Sequence, residues 1–265
     1  MSTLTTLFDS LRANTPCDLP LDWLQGRTAY GGFSAALGLK VAVDANQTEN
    51  VTLRSAQISF IGPITADVIF TPEILRIGKS ATYVGVKGVS DKSTVFQATY
   101  IFGKNRESAI NHNFIATPYV MKPDQYSELP HKLIVPNFFK NFHVRVVSNS
   151  LFFSGGPKPE LIAWVRFKDK LEIDDDISLL LIADSLPPAS TVCSKEAAPI
   201  SSMDWSFNII NSNICTEWLL LRSNSLVSKN GYSYQVIYAE LSGDFPLGDS
   251  RQPTYKSLRP FDLVS

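Results

Sequence analysis

Residues 56–62 read AQISFIG, and residues 203–209 read MDWSFNI. Laid over one another, they align Phe60 with Phe207 and Ser59 with Ser206. Just upstream Ser55 falls on Ser202, and the apolar faces stay in phase. Both stretches alternate as strands do, with Ala56, Ile58 and Phe60 on one face and Ser55, Gln57 and Ser59 on the other. Working outward, the first copy continues through 67–77, 81–90 and 94–102, parted by Gly62-Pro63, Gly78-Lys79 and Asp91-Lys92. Turns this short leave no room for crossover helices, so the sheet is expected to be antiparallel and the doubly wound α/β architectures are disfavoured. Upstream, FSAALGLKVAVDA at 33–45 reads as a helix of small and aliphatic residues, with Gly31-Gly32 at its entry. A shorter amphipathic pattern at 3–13 leads in.

The second copy has the same order. A helix is expected within IDDDISLLLIADSLPP at 173–188, then strands at 201–210, 218–227, 232–242 and 250–258. In the last of these Gln252-Pro253-Thr254-Tyr255 answers Gln97-Ala98-Thr99-Tyr100 of the first copy. Helix followed by four strands, twice, is a duplicated α+β domain, its period far longer than that of a solenoid. The division expected is 1–115, a connector at 116–137 rich in Pro, Asn and charge, and 138–265, where FHVRVVSNSLFF and ELIAWVRFKDK form a hairpin around Ser154-Gly155-Gly156-Pro157. Two such copies pack as a pseudo-symmetric pair, and the cleft between them is a natural ligand site.

Composition narrows the function. With 24 basic and 25 acidic residues dispersed along 265 and a net charge of −1, no basic run marks a nucleic-acid surface. The N-terminus lacks the basic and apolar regions of a secretory signal, and no stretch has the length of a membrane span, so a cytoplasmic protein is expected. Cys17, Cys193 and Cys215, and His112, His131 and His143, are scattered; neither a disulfide framework, nor a metal site, nor a cofactor is indicated.

One acid stands out. Asp174, Asp175 and Asp176 suit a helix N-terminus and Pro187-Pro188 ends any helix, which leaves Asp184 near the C-terminus of an apolar run. The negative end of the helix dipole and the apolar neighbours there both favour the neutral acid. The segment taken alone reads more readily as a solvated turn residue before Ser185. The first helix, from Tyr30 to Val43, contains no acid, so one site per chain is expected.

A helix wrapped by an antiparallel sheet, twice in one chain, resembles the double hotdog fold. TAYGGFSAALGLKVA resembles the glycine pair and first helix of the type II acyl-CoA thioesterase family, and RSAQISFIGPI its next strand. AWVRF, DDISLLLIADSLPPA, SSMDWSF and SRQPTY resemble segments of the second half in the same order. The resemblance covers Trp23 to Tyr255. It implies an acyl thioester substrate such as acyl-CoA, and a carboxylate, a hydroxyl and a glutamine that activate water. These fall on Asp184, Ser202 and Gln252. The family commonly has threonine where Ser202 stands, and Pro253 after Gln252 removes a ladder donor.

Asp184 is then the general base, with Ser202 and Gln252 fixing the water by hydrogen bonds. Gly31, Gly32 and Phe33, at a helix N-terminus, are the candidates for the oxyanion or the substrate. Gly32-Phe33-Ser34-Ala35-Ala36 approximates a nucleophile elbow but lacks its last glycine and its α/β setting. A hotdog hydratase is a nearer rival, but the Asp and His close in sequence that it would use are not seen in this chain. The remaining rival is a module that binds an acyl thioester or lipid without turnover. Trp164, Trp205, Phe207 and Trp218 read as core more readily than as an acyl tunnel. Edge strands in such folds commonly pair, which points to a homo-oligomer.

Overall fold

A computed structural model describes residues 3–65, 67–110, 112–115, 118–130, 133–210, 218–241 and 255–256. Helix α1 is Thr3–Ser10, α2 is Gly31–Ala45 and α3 is Asp175–Ala183. The strands of the first half are β1 (Pro16–Cys17), β2 (Leu24–Gln25), β3 (Thr28–Ala29), β4 (Thr52–Phe60), β5 (Val68–Ile77), β6 (Ala81–Ser90) and β7 (Ser93–Gly103). Those of the second are β8 (Phe142–Val146), β9 (Glu160–Phe167), β10 (Asp204–Asn208), β11 (Leu219–Lys229), β12 (Tyr232–Leu241) and β13 (Tyr255–Lys256).

One sheet runs β1-β5-β6-β7-β4-β10 and the other β13-β12-β11-β9-β8, and every pairing is antiparallel. This is the double hotdog expected: a helix, then four strands, in each half. The short turns force it, for Asp91 and Lys92 both take positive φ, the backbone of a two-residue hairpin whose twist matches its strands.

The register between β4 and β10 carries the symmetry. Ile58 pairs with Trp205, Gln57 with Ser206 and Ser59 with Asp204. Ile58 and Trp205 are equivalent residues of the two copies, and so are Ser59 and Ser206, and Gln57 and Asp204. Each residue therefore opposes its neighbour's equivalent, as in an isologous interface, and the internal two-fold passes through the Ile58–Trp205 pair. The same short motif that revealed the duplication is where the copies join.

Helix α2 packs on β5, β6 and β7 and against α3. Gly38 makes the first of these contacts close: a Cβ there would stand 2.7 Å from the Tyr100 hydroxyl oxygen and 2.9 Å from the Phe96 ring. That hydroxyl donates to the Ala35 carbonyl at 2.7 Å, tying helix to sheet. Phe33, Leu37, Leu39, Phe70, Phe96 and Leu181 are fully buried around this junction, each contributing about 1.5–3 kcal/mol in transfer terms.

Several boundaries differ from the sequence expectation. Helix α1 ends at Ser10; α2 begins at Gly31 and ends at Ala45 as its pattern implied, and so includes an acid, Asp44, paired with Lys40 at 2.5 Å on the solvent side. Strand β8 stops at Val146. Val147 and Ser148 still donate to Ile162 of β9, but farther on Phe153, Gly155 and Gly156 donate to Thr191, Ser194 and Val192, in and just after the 3-10 turn Ala189–Cys193. Strand β10 begins only at Asp204, which leaves Ser202 ahead of it.

Candidate active site

Asp184 caps the C-terminus of α3 and is 8% exposed. Its surroundings come from the other half of the molecule. A Cβ on Gly31 would lie 2.6 Å from Asp184 Oδ2 and 3.1 Å from the Phe60 ring. One on Gly32 would lie 2.7 Å from both the Asp184 Cβ and the Leu180 carbonyl oxygen. No other residue type fits at either place without moving the carboxylate or the helix. The sequence reading set the glycines at the entry of the helix; they are its first two residues, and they leave room for the acid.

Two helix ends therefore meet at one carboxylate. The C-terminus of α3 presents the negative end of its dipole and the N-terminus of α2 the positive end, so the two fields oppose one another at Asp184. The sequence showed only the first. At the α2 end the amides of Phe33 and Ser34 turn back to the Tyr30 carbonyl, each at 3.1 Å, leaving those of Gly31 and Gly32 as the donors of the first turn. The Phe33 side chain is wholly buried and packs on Trp23 and Tyr30, so it belongs to the core.

Tyr30 holds the two ends together, and nothing in the sequence singled it out beyond its place before the glycines. It is the N-cap of α2, and its hydroxyl donates to the Leu181 carbonyl at 3.1 Å, one of the orphan carbonyls of the last α3 turn. Its ring stacks on Phe138 at 4.0 Å. Five residues past Asp184 in the chain, the Ala189 amide donates to buried Gln235 at 2.7 Å, and Gln235 also accepts the Ser223 hydroxyl at 3.4 Å, anchoring the chain just past the prolines to β11 and β12. A buried polar residue in an otherwise alternating strand was the available signal.

Ser202 is half-buried in the approach to β10, next to Met203, whose carbonyl accepts the Phe60 amide at 2.8 Å. That bond brings the start of β10 to the end of β4, where the Phe60 ring meets Gly31. Gln252 lies outside the described residues. Of the aromatic candidates, Trp164, Trp205 and Phe207 are buried core residues, and Trp218 is half-buried with the Arg145 and Arg166 guanidinium groups 5.0 and 4.7 Å from its ring centre.

Among the described residues no helix is long and apolar enough to cross a membrane. Residues 19–103 match the family model for the acyl-CoA thioesterase N-terminal domain, and residues 118–239 match that for the acyl-CoA thioesterase C-terminal domain. No curated protein matches the sequence. Among solved structures, a conserved protein of unknown function with a hot dog fold from Alicyclobacillus acidocaldarius superposes with a TM-score of 0.84 at 17% identity, over 100% of both chains. The acyl-CoA thioesterase II TesB2 of Mycobacterium marinum gives 0.69 at 18% identity over 89% of each chain. A tesB protein of Mycobacterium avium subspecies paratuberculosis gives 0.71 at 15% identity over 94% of each. At these identities the likeness establishes the fold.

Proposed function

The chain belongs to the acyl-CoA thioesterase family, and we propose that it hydrolyses an acyl thioester, releasing a free acid and a thiol, with water activated by Asp184. The observation that carries this is the seating of one buried carboxylate against the glycine end of α2. Thioester hydrolysis needs a base beside the attacked carbonyl and a donor for the charge that forms on its oxygen, and these two groups meet there.

In this reading Asp184 accepts a proton from water as the oxygen attacks the thioester carbon. The carbonyl oxygen, now negative, is held by the amides of Gly31 and Gly32. Collapse of the tetrahedral adduct breaks the carbon–sulfur bond, and the departing thiolate takes the proton from Asp184. Ser202 and Gln252 orient the water; neither is a strong base at neutral pH. General-base assistance of this kind contributes roughly 10²–10⁴ in rate.

The test is incubation of the purified protein with acyl-CoAs of graded chain length while free thiol is followed. Turnover that disappears in Asp184→Asn is expected. Binding of the acyl-CoA with no release of thiol would instead make the chain a non-catalytic acyl-thioester module, the one rival that the same cleft suits.

A further inference from the structure

The outer face of the first sheet ends, at the β5–β6 turn, in a patch both charged and apolar. Arg76 opposes Tyr83, and Tyr83 opposes Ile101 of β7, so the three side chains share one face. Leu75, at the bulge between Ile74 and Arg76, lies over Gly85 on that face and is 50% exposed, and Ile77 at the turn is 62% exposed. Ile101 in turn lines a groove of about 640 Å³ together with Arg54, Ser80, Lys104, Asn105 and Arg106. Arg54 Nε donates to the Gly103 carbonyl at 3.3 Å, its guanidinium also bonds Asn105, and the Lys104 amide donates to the Ser80 carbonyl at 3.0 Å, which fixes the groove beside the turn. Arg54, Arg76, Lys79, Lys104 and Arg106 thus converge on one end of the sheet, with Glu73 and Glu107 beside them. None of these cations forms an ion pair among the described residues.

We propose that this end of the sheet docks on the surface of an anionic phospholipid bilayer, with headgroup phosphates against the cations and the aliphatic side chains of the turn reaching past them. The proposal is independent of the thioester reading. Charge sets the sign of the partner, for cations without carboxylate partners are drawn to an anionic surface. It also disfavours a second copy, because an isologous contact would set the same cations against one another. The exposed Leu75, Ile77 and Tyr83 decide between anionic partners. They gain only where an apolar layer lies behind the phosphates, aliphatics entering it and tyrosine resting at its boundary.

A second hairpin in the same chain sharpens the point. In β11–β12 the bulge between Ser225 and Val227 matches that at Leu75, and Tyr234 opposite Val227 matches Tyr83 opposite Arg76. Leu226 and Val227 are as exposed as their counterparts, yet residues 226–234 carry Lys229 as their cation. That turn offers the apolar signal with less of the charge. Each Lys or Arg at an anionic membrane surface strengthens binding about five-fold, and stable attachment takes two signals together.

Sedimentation of the full chain with lipid vesicles tests this. Vesicles with about one-third phosphatidylglycerol should bind the wild-type protein about ten-fold or more tighter than phosphatidylcholine alone, and added salt should release it. Lys79→Ala/Lys104→Ala/Arg106→Ala removes three exposed cations and should lose about ten-fold or more in affinity for the anionic vesicles. Leu75→Ser/Ile77→Ser should lose several-fold, whereas Leu226→Ser/Val227→Ser at the equivalent turn should bind as wild type does, with thermal melting confirming that each variant is folded. No preference of the wild-type protein for anionic vesicles, or an equal loss from the two serine pairs, overturns the assignment. So does a loss confined to the triple variant, for a surface indifferent to Leu75 and Ile77 takes any polyanion, and a nucleic acid or an acidic protein is then its partner.

Discussion

Helices α2 and α3 occupy the same place in two copies of one domain, yet they end in opposite ways. Helix α2 has 15 residues, begins with two glycines under another helix, and carries its acid, Asp44, at the solvent beside Lys40. Helix α3 has nine residues, begins with Asp175 exposed and Asp176 half-buried, and ends on a buried acid, Asp184, as its C-cap. The difference teaches how duplication changes a symmetric pair. Two identical copies would need each helix to supply both the amide end and the carboxylate. Under the proposed mechanism one helix of the fused pair supplies the donors and the other the base, and a single site is expected.

The largest effect expected is on activity. Asp184→Asn should lower kcat by roughly 10²–10⁴ with the fold retained, measured by thiol release and circular dichroism. Residual turnover near wild type would show that the other half holds a second site and that the asymmetry is only apparent.

Gly32→Ala comes next. Its methyl meets backbone, the Leu180 carbonyl, as well as Asp184, so the helices must separate. A stability loss of about 1–3 kcal/mol by denaturant titration is expected, with activity falling further than stability alone explains. An alanine tolerated without cost would mean that the close approach of the two ends is not required.

Tyr30→Phe removes the bond to the Leu181 carbonyl and keeps the stack on Phe138. A cost of about 1 kcal/mol is expected, together with a several-fold drop in kcat at unchanged KM, because the carboxylate loses its alignment with the glycines. The matched change within the same half, Tyr100→Phe, should cost a similar amount in stability and leave kcat alone, since Tyr100 bonds the Ala35 carbonyl, one turn into α2 and away from Asp184.

Tyr100 adds a pH signature. Burial holds its hydroxyl pKa well above the ordinary 10. In the unfolded chain it ionises first, so above pH 10 the unfolded state binds fewer protons and stability falls as pH rises. Tyr100→Phe should flatten that part of the decline. The smallest effect is at the solvent end of α2, where Asp44→Ala breaks an exposed i,i+4 pair and should cost no more than about 0.5 kcal/mol.

Much of this was legible in residue order. The alternation around Ala56 and Trp205 disclosed both strands and their equivalence, because a period of two needs only local spacing. The glycine pair and the lone acid closing an apolar helix were visible as oddities, since each breaks a local preference. What could not be seen was that they are one feature. Tyr30 and Gln235 were passed over for the same reason: a tyrosine before a helix and a glutamine in a strand are unremarkable until their partners, Leu181 and Ala189, are brought close by packing. Ser202 was expected within a strand, and the ladder begins two residues later.

The sequence by itself thus determined the elements, their doubled order and the antiparallel sheets, all consequences of short-range periodicity and turn length. Only the tertiary structure decided that β10 pairs with β4 about its own equivalent residues, and that two helix ends of opposite dipole meet at Asp184. It alone set the Tyr30 hydroxyl on the Leu181 carbonyl. Those outcomes depend on which surfaces the two copies bury against each other, and contacts between residues more than a hundred positions apart leave no local mark on the chain.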